Sequence, residues 1–313
     1  MIWNPKQWKR QFEQLTAQHY SKQKEEARFL LRSMRVEVFK HTTFLVQQGY
    51  YTNEKNQKID LTDVQGMVLN TKFYHSPCSV HHIPIINGET IVKVENIDCL
   101  LASEKLLKEG YHPAVLNMAS RRNPGGGVQT GAGAQEENLF RRSNLFQSLY
   151  QFAPFVDKYG LRSSKYQYPL DRNFGGIYTP DATVFRGTEQ DGYPLLDEPY
   201  RMSFVSVAGI NRPALESPER IAPELIAPVK NKIRTIFRIV LLHGHDSLVL
   251  GALGCGAFRN PPSHIARLFH EVMEEPEFKN KYRLLLFAIL DDHNARLKHN
   301  PDGNYLPFVR EFL

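Results

Sequence analysis

PAVLNMASRRNPGGGVQTGAGAQEENL, residues 113–139, is the stretch whose reading decides how this chain folds. Its opening, PAVLNM, is short and apolar and predicts a strand over Pro113–Met118. Pro124 and three consecutive glycines, Gly125, Gly126 and Gly127, then break the pattern. A backbone without side chains can come very close to a ligand, and its amides are expected to point at anionic or sugar oxygens. After a seven-residue spacer come Gln135, Glu136 and Glu137, where a helix is expected to start and run to about residue 150. Carboxylates in a first helical turn are favoured by the helix dipole and are held rigidly there. A lone glycine run is ordinarily a turn, and paired glutamates at a helix start are ordinarily solvated. Their ordered combination on a strand–loop–helix frame carries the signal.

Outward from this segment the pattern alternates between strand and helix. Residues 91–95 alternate as a strand, and residues 99–108 read as a helix closed by Gly110. Residues 176–185 predict one or two short strands, and residues 203–207 another. Ile221, Leu225, Val229, Ile233, Phe237 and Val240 recur every three or four residues, predicting an amphipathic helix over 220–242. Residues 248–252 read as a buried strand, 263–274 as a helix and 282–289 as a last apolar strand. Such alternation implies an α/β domain, a central sheet with helices on both faces, assigned to residues 90–313. Residues 1–89 read as an N-terminal helical extension packed on that core. Within it residues 8–49 are helical, and the polar stretch 52–60 is a turn or hairpin.

Composition narrows the function classes. The chain has 313 residues, 42% hydrophobic and 23% charged, ordinary for a globular protein with a large core. Lys and Arg outnumber Asp and Glu by 39 to 33, a charge of +6 that suits a polyanionic ligand without requiring one. Three widely spaced cysteines, Cys78, Cys99 and Cys255, form no C-x-x-C pair, so neither a zinc knuckle nor a redox dithiol is supported. The start MIWNPK lacks a signal-peptide core, and the longest apolar run, residues 284–290, is too short to span a bilayer. A soluble cytoplasmic monomer is expected, with nuclear access if the source is eukaryotic. No membrane partner, cofactor or metal is expected. His81-His82, His243-Gly244-His245-Asp246 and Asp291-Asp292-His293 lack the spacing of a metal site. Absence of a Gly-Lys-Ser/Thr step after either glycine loop excludes a P-loop NTPase.

The second glycine loop is LGALGCGAFRN, residues 250–260, between a strand and a helix, where free amides suit a pyrophosphate. Arg259 stands where a dinucleotide fingerprint needs its third glycine.

Three glycines, a seven-residue spacer and Gln-Glu-Glu resemble the signature of poly(ADP-ribose) glycohydrolases. The context resembles the microbial type of that family: VFKHTTFLVQQGYY (38–51), VENIDCL (94–100), IYTPDATVFR (177–186) and LGALGCGAFRNPP (250–262). The resemblance extends from about residue 30 to the C-terminus. It implies a macrodomain-like three-layer α/β/α fold with a central mixed sheet. It implies an exo-acting glycohydrolase that cleaves ribose–ribose bonds and releases ADP-ribose. Glu137 then matches the catalytic acid, which protonates the leaving ribose oxygen and afterwards activates water. Glu136 matches the residue gripping the scissile ribose hydroxyls. Gln135 and Gly125–Gly127 match the ligand-contacting loop, and Asn117 and Ser120 match contacts to the distal ribose. Asp98 falls where such folds place the acid that reads the adenine amine. The second loop, Gly254, Cys255, Gly256, Ala257 and Phe258, is expected to clamp the diphosphate, with Phe258 against the terminal ribose. Leu253 stands where the family more often has Trp. The implied partner is poly(ADP-ribose) or an ADP-ribosylated macromolecule. A mono-ADP-ribosyl hydrolase and a non-catalytic ADP-ribose-binding module are the competing readings. Intact Gln135-Glu136-Glu137 favours chemistry, because binding alone does not require it.

Overall fold

The computed structural model describes residues 3–19, 24–61, 65–79, 88–291 and 295–313. His81, His82, Asp292 and His293 lie outside the described residues. The elements, in chain order, are α1 (Pro5–His19), α2 (Lys24–Gln48), β1 (Tyr50–Thr52), β2 (Lys58–Asp60), α3 (Gln65–Asn70), β3 (Lys72–Tyr74), β4 (Ile91–Glu95) and α4 (Cys99–Lys108). There follow β5 (Pro113–Met118), α5 (Gln135–Arg142), α6 (Leu145–Tyr150), β6 (Gly176–Arg186), β7 (Leu195–Val207), β8 (Leu215–Ser217), β9 (Arg220–Ile221), α7 (Pro223–Leu242), β10 (Ser247–Leu250), α8 (Pro262–Met273), β11 (Leu284–Ala288) and α9 (Tyr305–Phe312).

Seven strands form one mixed sheet in the order β3-β6-β7-β5-β10-β11-β4, flanked by helices. β7, β5, β10, β11 and β4 pair in parallel, and β3 pairs antiparallel with β6. β10 and β11 are buried along their whole length, as continuous apolar strands covered on both faces must be. The central α/β reading is therefore the observed architecture.

The chain falls into two compact units. The first comprises Met1–Thr71, Arg122–Tyr168 and Pro180–Arg201, so part of the expected N-terminal extension clusters with segments of the expected core. Its helices α1 and α2 meet around Trp8, Met34, Val38 and Tyr193. The second comprises Lys72–Arg121, Pro169–Thr179 and Met202–Leu313. Its core joins α7 (Ile233, Ile236, Phe237) and α8 (Leu268, Phe269) to the sheet residues Leu116, Leu248 and Phe287.

Local differences from the sequence reading have physical causes. The helix expected over 135–150 is two helices. Ser143 is extended and bridges Val184, while the Asn144 amide donates to the Thr183 carbonyl at 3.2 Å. The Asn144 side chain accepts from the Thr183 amide in return, so strand pairing interrupts the helix. Residues 176–186 form a single strand, and the strand expected at 203 begins at Leu195. The helix expected from residue 220 starts at Pro223, because Arg220–Ile221 pair with β8. The hairpin at 52–60 is present as β1 and β2, whereas α3, β3 and α9 had no expectation.

Candidate active site

The first unit holds the glycine loop and both glutamates. Gly125 and Gly126 have φ of 75° and 53°, the left-handed region that side chains disfavour. They turn the loop so that the Gly126 amide donates to the Asn123 carbonyl at 2.9 Å and a 3-10 turn, Val128–Thr130, follows. The loop thereby folds onto the first turn of α5. The Gly125 amide donates to Glu136 Oε1 at 3.0 Å, and the Gly127 amide donates to Glu137 Oε1 at 2.8 Å. A β-carbon on Gly126 would collide with Glu137 Oε1 and lie 3.1 Å from Glu136 Oε2. The loop amides, expected to face ligand oxygens, are engaged inside the protein instead. Two hold the glutamate carboxyls, and one closes the turn.

Both glutamates are buried, Glu136 at 3% and Glu137 at 6% exposure. Glu137 Oε2 is buried with no hydrogen-bond partner among the described residues. One oxygen of Glu137 is thus fixed by the loop. Both carboxylates converge on Gly126 from consecutive positions of one helical turn. They do not straddle a sugar as the paired carboxylates of most glycosidases do.

The spacer between loop and glutamates is shaped by α2. Gly131, with φ of 75°, lies so close to the backbone of Arg32 that a β-carbon would collide with the Arg32 carbonyl. At Gly133 a β-carbon would lie 2.6 Å from the Arg35 guanidinium. Sequence reasoning missed the polar network that holds this arrangement. Arg35 forms a bidentate pair with Glu189, both bonds 2.8 Å. The Tyr193 hydroxyl donates to Glu189 at 2.8 Å, and Arg141 Nε donates to the Tyr193 hydroxyl at 2.9 Å. Arg141 Nη1 then donates to the Ala132 carbonyl in the spacer at 2.8 Å. Burial alone would raise the Glu189 carboxyl, but Arg35 outweighs it and holds Glu189 below the usual carboxylate range. Arg141 and Arg142 are both buried, which nothing in their sequence spacing signals.

The second unit holds the other candidates. Asp98 caps α4, its Oδ1 accepting from the Leu100 and Leu101 amides at 3.0 and 3.1 Å. Asn117 is fully buried, with Nδ2 donating to Ser206 Oγ at 3.0 Å and Oδ1 lacking a hydrogen-bond partner among the described residues. Ser120 is half-buried just beyond the end of β5. The loop after β10 is organised by Asn260, which sequence reasoning did not single out. Its Nδ2 donates to the carbonyls of Ile210 (2.7 Å) and Gly254 (2.9 Å). Gly254 has φ of 76°, and a β-carbon there would lie 2.5 Å from Asn260 Nδ2. Gly256 and Phe258 are half-buried and Ala257 is exposed. Cys255 is buried, and burial pushes its thiol up. His299 Nε2 donates to the Cys255 carbonyl at 2.8 Å.

His243 and His245 are engaged with tyrosines. His243 stacks on Tyr178 with ring centroids 3.5 Å apart, and its Nε2 bonds the Tyr74 hydroxyl at 3.0 Å. His245 bonds the Tyr178 hydroxyl at 2.9 Å and the His112 carbonyl at 3.1 Å. Asp291 Oδ1 accepts from the Asn304 and Tyr305 amides and so caps α9. Among the described residues no group of three or more His, Cys, Asp or Glu is arranged to hold a metal ion. Nor is any described helix long and apolar enough to cross a membrane.

Residues 39–187 match the catalytic domain of the microbial-type PARG family. A poly(ADP-ribose) glycohydrolase from Thermomonospora curvata is similar at 28% identity and a TM-score of 0.71, over 89% of this chain and 99% of that one. The structure of that enzyme with the inhibitor ADP-HPD matches with a TM-score of 0.70, again at 28% identity and over the same shares. The Deinococcus radiodurans enzyme in complex with ADP-ribose matches at 27% identity and a TM-score of 0.60, over 81% of this chain and 98% of that one. No curated protein sequence matches significantly. Its Gly-Gly-Gly loop is hydrogen-bonded to Glu136 and Glu137, and over residues 39–187 the chain matches the catalytic domain of microbial-type poly(ADP-ribose) glycohydrolases.

Proposed function

We propose that this chain is an exo-acting glycohydrolase that hydrolyses ribose–ribose O-glycosidic bonds of poly(ADP-ribose) and releases ADP-ribose, with Glu137 as the single acid and base. The observation that carries the reading is the asymmetry of the Glu137 carboxyl: Oε1 tied to the Gly127 amide, Oε2 buried and without a partner among the described residues. Burying two neighbouring carboxylates costs free energy that a binding module has no reason to spend.

In the first step the Glu137 carboxyl gives its proton to the leaving ribose oxygen as the C1–O bond breaks, and positive charge develops on the sugar ring. The ligand's own pyrophosphate stabilises that charge. The resulting Glu137 carboxylate takes a proton from water, whose oxygen bonds C1, and the acid form is restored. Glu136, held by the Gly125 amide, positions the hydroxyls of the scissile ribose. Gln135 and the glycine loop line the same place. Asn117 and Ser120 hold the distal ribose, Asp98 reads the adenine amine, and residues 254–258 clamp the diphosphate with Phe258 against the terminal ribose. ADP-ribose and ADP-HPD in the relatives' structures support this ligand class. Three free cysteines suit a reducing cytoplasm.

Glu137→Gln keeps the side-chain volume and removes the proton carrier. Turnover of poly(ADP-ribose) is expected to fall by about 10²–10⁴-fold, while ADP-ribose binding by calorimetry stays within about threefold. Retention of most of the turnover would refute the role. Parallel incubation with poly(ADP-ribose), mono-ADP-ribosylated protein and ADP-ribosylated DNA, scored by ADP-ribose release, separates the polymer reading from a mono-ADP-ribosyl hydrolase and from a reader.

A further inference from the structure

Helix α2 carries a feature that the chemistry at Glu137 does not use. Arg28, Phe29 and Arg32 stand on one exposed face of it, spaced as i, i+1 and i+4. Phe29 is 69% exposed, and neither arginine has an ion-pair partner among the described residues. Like charges at i and i+4 oppose helix formation, and an exposed phenylalanine contributes nothing to the core. Glu25, one turn earlier, is the acidic residue nearest to Arg28 along this face, and it leaves the face net positive. This face sits close to the chemistry. The Arg32 backbone touches Gly131, and the next residue, Ala132, packs against Gly127, whose amide holds Glu137.

We propose that Arg28, Phe29 and Arg32 form an accessory subsite for the penultimate ADP-ribose unit of the polymer, the part that leaves when the terminal unit is cut. The inference rests on the glycohydrolase reading above. The leaving oxygen belongs to an adenosine ribose, so an adenine and a pyrophosphate follow it directly along the chain. Phe29 supplies a stacking surface for that adenine, and the two guanidinium groups supply charge and paired donors for the pyrophosphate. Free ADP-ribose lacks this unit and makes none of these contacts.

The experiment compares the full-length wild type with Arg28→Ala/Arg32→Ala, Phe29→Ser and Arg28→Lys/Arg32→Lys, each checked for an unchanged melting temperature. Steady-state cleavage of long poly(ADP-ribose) reads the polymer, and product inhibition by ADP-ribose reads the terminal-unit site. The double alanine variant is expected to raise KM for polymer about tenfold with kcat nearly unchanged. The slope of log KM against log salt should flatten by about one to two. Phe29→Ser raises KM severalfold, the lysine variant recovers part of the loss, and ADP-ribose inhibition stays within about twofold throughout. Unchanged KM for polymer overturns the subsite. So does an equal loss of ADP-ribose inhibition, or equal competition by a DNA oligonucleotide of the same charge, which marks a general polyanion surface. If the wild type releases no ADP-ribose from polymer, the glycohydrolase reading itself fails. If the wild type cleaves and the variants match it, only the subsite fails.

Discussion

Gly126 shows how much of the site rests on a single hydrogen atom. Its φ of 53° costs an L side chain about 1 kcal/mol, and the added methyl would press on Glu137 Oε1. Gly126→Ala is therefore expected to displace the Glu137 carboxyl as well as strain the loop. Because a misplacement of about 1 Å can cost about a hundredfold in rate, kcat should fall at least tenfold while the melting temperature drops by only a few degrees. Steady-state kinetics beside thermal unfolding checks this, and unchanged kcat would show that the carboxylate is not placed by the loop. Asn260 plays the comparable part in the second loop. Asn260→Ala strips the Ile210 carbonyl of its side-chain donor, leaves the Gly254 carbonyl only the backbone amide of residue 260, and should destabilise the protein by about 1–3 kcal/mol in urea unfolding.

At the scale of elements, α2 is the support for the segment that presents the glutamates. Its backbone at Arg32 meets Gly131, and Arg35 reaches the spacer by way of Glu189, Tyr193 and Arg141. Gly131→Ala sets a methyl against a carbonyl of a rigid helix, where no side chain can swing away. The expected destabilisation is about 2–4 kcal/mol, with activity lost alongside stability, as scanning calorimetry and turnover on the same samples would show. Removing the Arg35 side chain leaves half-buried Glu189 without its bidentate charge partner. Arg35→Ala should thus be worse tolerated than most substitutions at half-buried helix positions. The break between α5 and α6 has the same character. Ser143 and Asn144 leave the helix because the edge of β6 at Thr183 and Val184 offers them backbone partners.

At the scale of the whole molecule, pH acts on stability through the histidine–tyrosine cluster of the second unit. Burial, followed by the neighbouring His112, lowers His245 from 6.5 to about 4. His243 is likewise lowered to about 4, first by burial and then by Lys72, but it is more exposed and contributes less. Both are held neutral in the folded protein. The unfolded chain binds the proton first, so the stability tied to these groups is complete above about pH 6.5 and is lost as pH falls towards 4. For His245 the loss amounts to at most about 3 kcal/mol. Urea midpoints measured from pH 7 to 4 should fall across that window, and the fall should be shallower in His245→Asn. An identical pH profile for the variant would remove His245 from the explanation.

What the sequence determined by itself is what local pattern encodes. The α4 and β5 boundaries, the amphipathic stripe of α7, the buried runs of β10 and β11 and the start of α5 at Gln135 all follow from periodicity, caps and breakers within a few residues. The ordered Gly-Gly-Gly and Gln-Glu-Glu pair was legible for the same reason, since both parts lie within one loop and one helical turn. Only the tertiary structure decided why the glycines of this segment are needed: Phe140 crowds Gly125, Glu136 and Glu137 crowd Gly126, and the backbone of α2 crowds Gly131 in the spacer, contacts that leave no trace in local spacing. It also decided that Arg141 and Arg142 are buried, that Ser143 leaves a helix for a strand, and that Asn260 holds the second loop. Each depends on hydrogen-bond partners tens of residues away, and a partner's identity is set by packing rather than by composition.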